Sequence, residues 1–263
     1  MKSIRSTQNE TYKSLLKLTK KRGRDERGVF LLEGEKLIKE AAARGAEIVT
    51  AVFRDEEQAG ETAQRLALPD SVSAVLLRED LFDRLTDQVT PSRVLAVVAK
   101  PAHNAEILRG RNIVVLDRIQ DPGNVGALIR TAEAAGFAGI IAVKGTVDFW
   151  SQKVCRSAAG AIVRMPLFQT EDADATLAIL SKLGLRPVVC DMDGEPLYAE
   201  GALAGNIALI IGNEGGGVSR AFADAAECTV GIPMSEGSES LNAAVAAGIV
   251  MYEKRRQEEF GGK

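Results

Sequence analysis

Residues 112–137 read "NIVVLDRIQDPGNVGALIRTAEAAGF". The apolar run 113–116 breaks at Asp117 into a polar turn holding Pro122, Gly123 and Gly126, and the chain restarts as a helix that carries Arg130 on its first turns. A short apolar run, a turn and then a helical pattern form the repeating unit of a layered α/β fold. The turn also delivers two polar side chains to one end of the strand. Asn124 and Arg130 lie six residues apart, under two helical turns. Standing alone, an Asn that caps a helix and an Arg on its surface account for the pair.

The same rhythm extends outward in both directions. Toward the N-terminus the runs "VFLLEG", "IVTAVF", "SAVLLR" and "RVLAVVAK" alternate with the helical stretches "EKLIKEAAARG", 56–66 and "EDLFDRLT". The segment "PAHNAEILRGRN", with Pro101, His103 and Asn104, interrupts them and reads as a hinge, which predicts domains at 1–103 and 104–263. Toward the C-terminus come "GIIAVKG", a helix near 151–160, "AIVRMPLF", a helix near 172–183, "RPVVCDMD", "NIALIIGNE", a helix near 218–226, "CTVGIP", and a last helix from Ser240 to about Glu258. Four of these strands are near-continuous apolar runs, so both faces of their sheet are expected to be covered, as in a parallel sheet. The fold class is α/β throughout.

A chain of 263 residues with 46% hydrophobic content is long enough for one or two cores without staples. Cys155, Cys190 and Cys228 form no C-x-x-C pair and His103 is the single histidine, so neither a disulfide framework nor a zinc site is supported. The opening "MKSIRSTQNETYK" has no apolar signal core, and no run approaches the roughly 18 apolar residues of a membrane span, so the cytoplasm is the expected location.

Charge is unevenly distributed. Residues 1–27 hold nine Lys and Arg against three acids, a local +6 that leaves −9 on the remainder of a chain whose net charge is −3. Such asymmetry marks either a phosphate-binding patch centred on Lys20, Lys21, Arg22 and Arg24, or the solvated face of a helix whose apolar face is Leu15, Leu16 and Leu18.

Ligands of open parallel sheets bind beyond the carboxyl ends of the strands, so three loops belong together. The second, "GNEGGGVSRAF", places Glu214 among Gly212, Gly215, Gly216 and Gly217; it matches neither G-x-G-x-x-G nor a phosphate loop ending in Gly-Lys. The third, "IPMSEGSESLNAAVAAGIVMYEKRR", offers Ser240 as a helix cap and the stripe Leu241, Val245, Ile249 and Tyr252 flanked by small residues. A stripe of this kind is buried either in its own core or against a second copy of the chain.

Together the three loops resemble the motifs of the SpoU/TrmH branch of the SPOUT methyltransferases, which transfer a methyl group from S-adenosylmethionine to a ribose 2′-hydroxyl of RNA. "DPGNVGALIRTAEAAG" resembles the first motif, "IIGNEGGGV" the second and "IPMSEGSESLNAAVAAGI" the third. "DFWSQKVCRSAAGAIVRMP" resembles the connecting segment, with Gln152 where many members have Pro. "STQNETYKSLLKLTKKRGRDERGVFLLEGEKLIKEA" resembles the opening of the ribosomal-protein-like (L30e-like) substrate-binding domain found in members that act on ribosomal RNA.

The resemblance implies a deep trefoil knot in the C-terminal SPOUT domain, which topology alone would not suggest. It implies S-adenosylmethionine as cofactor, held by backbone groups near Gly212, Ile232 and Leu241. It implies a catalytic set of Asn124, Arg130, Glu214, Ser240 and Asn242, in which Asn124 orients the ribose, Arg130 acts at the hydroxyl, and the other three fix Arg130 and the ribose. Arg156 joins the basic residues as an RNA contact, and the C-terminal helix is expected to pair two copies as a homodimer. Structured RNA is the implied partner, most simply 23S ribosomal RNA because of the additional N-terminal domain. A transfer-RNA 2′-O-methyltransferase and a non-catalytic RNA-binding or ribosome-assembly factor are the competing readings, the latter opposed by the intact motif residues. A dinucleotide enzyme is opposed by the glycine spacing.

Overall fold

The computed structural model describes residues 1–54, 56–199, 201–237 and 240–260. They divide into two compact units, Met1–Ala102 with Asp148–Arg164 and His103–Val147 with Met165–Lys263. The segment 148–164, expected from its place in the chain to belong to the second domain, packs in the first unit.

The first unit runs β1 (Lys2–Ile4), α1 (Glu10–Lys17), α2 (Lys21–Arg27), β2 (Val29–Glu33), α3 (Glu35–Ala43), β3 (Ile48–Phe53), α4 (Glu56–Leu66), β4 (Ser73–Leu77), α5 (Glu79–Phe82) and β5 (Val94–Ala99). Its sheet has the order β1-β4-β3-β5-β2 and is mixed: β2 and β3 pair with β5 antiparallel, while β1–β4 and β3–β4 are parallel. β1 has only three residues, two of them polar, and no sequence pattern announces it. The backbone of Asn9 is extended, and its side chain accepts from the N–H groups of Thr11 and Tyr12, so α1 starts there. Tyr12, Leu15 and Leu18 enter the core, whereas Leu16 is exposed, which corrects the expected apolar face. α2 ends at Gly28 in the left-handed region, a conformation that glycine adopts without steric cost.

The second unit contains β6 (Ile113–Asp117), α6 (Pro122–Ala134), β7 (Ile140–Val143), β8 (Leu167–Thr170), α8 (Ala173–Leu183), β9 (Arg186–Pro196), β10 (Ile207–Gly212), α9 (Arg220–Ala225), β11 (Cys228–Gly231) and α10 (Ala243–Phe260); α7 (Gln152–Ala158) belongs to the first unit. All strands are parallel, in the order β11-β9-β10-β6-β7-β8. The apolar runs expected to be covered on both faces are so: every residue of β6 and the first five of β10 are buried. "AIVRMPLF" is not one strand. A 3₁₀ turn covers Ala159–Val163 and β8 starts only at Leu167, because Pro166 lacks the N–H that a ladder needs; its carbonyl accepts from Ile140 instead.

α10 also departs from expectation. It starts at Ala243, and Asn242, not Ser240, is its cap: Asn242 Oδ1 accepts from the N–H groups of Ala244 and Val245 at 3.0 and 3.3 Å. Ala244, Ala247, Val250 and Met251 form its buried face, and the small residues let it lie against α6. Leu241, Val245 and Tyr252 remain 40%, 52% and 49% exposed, so the stripe is not core of this chain. Among the described residues no helix is long and apolar enough to cross a membrane.

Arg24 is the one basic-arm residue that the fold consumes. It is 5% exposed; Nε and Nη2 donate to Asp148 Oδ2 at 2.9 and 2.6 Å, and Nη1 donates to the Leu18 carbonyl at 2.9 Å. It is therefore withdrawn from the expected RNA contacts. Its carboxylate partner accepts in addition from the N–H of Trp150, whose ring packs 4.6 Å from that of Phe30. Arg24→Ala should lower the unfolding free energy by about 3–5 kcal/mol by stranding a buried carboxylate, whereas Lys21→Ala, which removes an exposed pair, should cost no more than about 1 kcal/mol. Urea unfolding of the two variants checks this, and equal costs would show that water solvates Asp148.

Candidate active site

β6 and β10 are neighbours in register, and their last residues, Asp117 and Gly212, sit side by side. The loops that follow them therefore leave the sheet at the same place, with β6 flanked by β7 on its other edge, the arrangement in which parallel sheets bind ligands.

Asp121 is the N-cap of α6: its Oδ1 accepts from the N–H of Asn124 at 2.8 Å, and Pro122 fills the first turn, where a missing donor costs nothing. The reading of Asn124 as the cap is thus replaced, and its amide is released for other work. Asn124 Nδ2 donates to Glu214 Oε1 at 2.7 Å, and Asn242 Nδ2 donates to Asn124 Oδ1 at 2.8 Å. The polarity is internally consistent. An ionised carboxylate only accepts, so Asn124 must present its nitrogen to Glu214 and its oxygen to Asn242; Asn242 must then use its own oxygen for the helix N–H groups, as it does. One buried amide links all three polar loops.

A cleft of about 510 Å³ opens beside this chain of bonds, within the range of about 300–1,000 Å³ usual for small-molecule sites. Gly212, Ile232 and Leu241 line it, as do Glu214, Ser240 and Asn242, while Ile211 and Val218 supply apolar wall. The cradle depends on glycine: a Cβ at Gly212 would come within 2.4 Å of both the Gly217 carbonyl carbon and the Val218 nitrogen. The glycine loop is organised by Asn213, which exchanges two backbone hydrogen bonds with Gly217 and whose Oδ1 accepts from the N–H groups of Gly215 and Gly216. That role was missed in the sequence, although Asn ahead of glycines is the signal of a side chain that closes its own turn. Cys190 also lines the cleft. Burial, reinforced by the charge of Asp191, pushes its thiol up to about 11, so it stays protonated and is no nucleophile.

Arg130 stands apart. Six residues beyond Asn124 on α6 correspond to about 240° of rotation; Arg130 is exposed and makes no hydrogen bond or ion pair with another described residue. Glu214 and Asn242, expected to fix Arg130, here hold Asn124. Ser240 lines the cleft but lies three residues before the first residue of the helix it was expected to cap. In the first unit, Lys20, Lys21 and Arg22 are exposed, with Lys21 and Arg22 paired to Asp25 and Glu26 on their own helix, and Arg156 pairs with Asp87. Among the described residues no group of His, Cys, Asp and Glu is arranged to hold a metal ion.

Residues 111–252 match the model of the SpoU rRNA Methylase family, and residues 9–96 match an MRM3-like substrate binding domain. The chain is 32% identical over 97% of its length to the whole of the 23S rRNA (guanosine(2553)-2'-O)-methyltransferase RlmP of Bacillus subtilis. It superposes with a TM-score of 0.85 on an AdoMet-bound rRNA methyltransferase from Sinorhizobium meliloti, at 29% identity and covering 97% of this chain and 98% of that one. The SpoU methyltransferase AviRb of Streptomyces viridochromogenes, solved with AdoMet, gives a TM-score of 0.86 at 27% identity over 95% of this chain and 98% of that one. With its first, second and third loops joined through Asn124 beside the cleft, the chain belongs to the SpoU rRNA methylase family.

Proposed function

We propose that this chain methylates a ribose 2′-hydroxyl of ribosomal RNA with S-adenosylmethionine as donor. The observation that carries the reading is the Glu214–Asn124–Asn242 chain beside the glycine-walled cleft, in a member of this family. The cleft fits the donor: it combines apolar wall at Ile211, Val218 and Ile232 with backbone edges at Gly212 and Leu241, and among the described residues neither Lys nor Arg lines it to repel a sulfonium. When bound, the donor supplies a methyl group already activated for displacement. The protein's task is then to orient the hydroxyl and relieve it of its proton.

Asn124 is held on both sides of its amide, which makes it rigid, and it positions Glu214 at the cleft rim. Arg130 is a poor base, since a guanidinium holds its proton firmly. Its exposure instead suits it to grip a substrate phosphate and to stabilise negative charge growing on the ribose oxygen. Lys20, Lys21 and Arg22 extend the phosphate-binding surface in the substrate-binding part, residues 1–103, which precedes the methyltransferase part, 104–263; the two family models fall on either side of that division. An L30e-like form for the first part fits its sheet flanked by helices.

The trefoil knot belongs to the same reading. The exposed stripe Leu241, Val245 and Tyr252 supports a homodimer through α10, each helix meeting the same patch on its mate. A ribosomal substrate is consistent with the cytoplasm as its location.

Mapping 2′-O-methylation in 23S and transfer RNA, with and without the gene, tests the reaction and its target together. Loss of one mark in 23S RNA is expected; a lost transfer-RNA mark would move the target, and no change would favour the assembly-factor reading. In vitro, Arg130→Ala should reduce turnover by about 10²–10³-fold, the loss typical of one charge-stabilising donor, while donor affinity changes by no more than a few-fold. Replacing Lys20, Lys21 and Arg22 with Ala should flatten the log-log salt dependence of RNA binding, the slope falling by up to about 0.7–0.9 for each phosphate that is no longer gripped. Light scattering should return twice the 28.0 kDa chain mass, and Val245→Glu should yield a monomer; a monomeric unmodified protein removes the dimer.

A further inference from the structure

Arg118 follows the last residue of β6 and has φ +61°, in the left-handed region that residues with a β-carbon rarely occupy. Among the described residues only Ala67 and Ala159 share positive φ without being glycine. Such a conformation persists only where its surroundings over-determine it. At Arg118 they do so from four directions. Nε and Nη2 donate to Asp117 Oδ1 and Oδ2 at 2.9 and 3.2 Å, a two-point clamp on a carboxylate that is itself buried. Nη2 also donates to the Gly217 carbonyl at 3.3 Å. The Arg118 carbonyl accepts from Asn213 Nδ2 at 2.9 Å. Its aliphatic stem runs over Gly145, where a Cβ would approach Arg118 Cγ to 3.0 Å.

These bonds reach both ends of the glycine loop. Asn213 and Gly217, which close that loop through two backbone hydrogen bonds, are the residues that the carbonyl and the guanidinium of Arg118 hold, and both line the cleft. Asp117 adds a third tie at the far side of the loop, accepting from the N–H of Ser219 at 2.6 Å. A surface arginine kept for RNA would turn its fork to solvent; this one turns it to Asp117 and Gly217, with 41% of its side chain exposed. We propose that Arg118 is a positioning residue for donor binding, which locks the 213–217 loop to the end of β6 in the shape that walls the cleft. The proposal rests on reading that cleft as the S-adenosylmethionine site.

Arg118→Gly removes the guanidinium without straining the positive φ. Calorimetric titration of the full chain with S-adenosylmethionine should show affinity reduced about tenfold, the equilibrium consequence of losing one charged hydrogen bond. KM for the donor should rise by the same factor and kcat at saturating donor should stay within about twofold, while the melting temperature falls because Asp117 is left buried without its cationic partner. Arg118→Lys, which keeps the charge beside Asp117 without the fork, should recover part of the affinity. Unchanged donor affinity in Arg118→Gly overturns the proposal, and so does a fall of kcat at saturating donor in step with affinity, which would make the residue a general fold support. If the unmodified chain itself fails to bind the donor, the reading of the cleft falls first and the role of Arg118 with it.

Discussion

The parallel pairing of β6 with β10, in a register that sets Asp117 beside Gly212, is the constraint on which the site depends. Because the two strands end together, the turn before α6 and the glycine loop emerge within a side chain's length of each other. Buried apolar side chains of both strands hold that register, and a slip of one residue would turn every one of them to the opposite face. The site's geometry is thus secured by hydrophobic burial some distance from any of its polar groups.

On that platform the polar groups are arranged so that each satisfies another. A buried amide that lacks partners is costly, and Asn124 avoids the cost by donating to Glu214 and accepting from Asn242. The same bonds carry the third loop: Asn242 is at once the partner of Asn124 and the cap that begins α10. The docking of the last helix and the placement of the amide are consequently one event. Small residues on α10 contribute from the other side, since Ala244, Ala247 and Gly248 allow the helix to lie close enough to α6 for the amides to meet.

The charged residues divide by partner and not by type. Arg24 and Arg118 spend their guanidinium groups on the buried carboxylates of Asp148 and Asp117, whereas Arg130, Lys20, Lys21 and Arg22 keep their charged groups at the surface. The buried pair in the first unit ties α2 to a segment 124 positions later in the chain. A cluster of like residues in sequence therefore contains members with opposite fates, one structural and the others available to a polyanion.

Most of the strands, the α/β class, the three loops and the family were legible in the sequence, because continuous apolar runs, glycine clusters and the Ser-Leu-Asn run are local patterns; the short, polar β1 and the start of β8 were not. The cleft-lining positions Gly212, Ile232 and Leu241 were legible by resemblance for the same reason. What sequence could not decide was competition between similar residues. Asp121 and Asn124 are both capping types, as are Ser240 and Asn242; which of each pair caps depends on where α6 and α10 dock. Lys21 and Arg24 are both basic residues on one short helix, and only the approach of Asp148 makes one of them core. Arg118 and Asn213 gave no sign of their linkage, since it spans 95 positions and exists only once β6 and β10 are paired. Local propensity and hydrophobic pattern act over a few residues and were enough to specify the elements; hydrogen bonds between distant polar groups form only where packing has already brought them together, so the site itself was decided by tertiary structure.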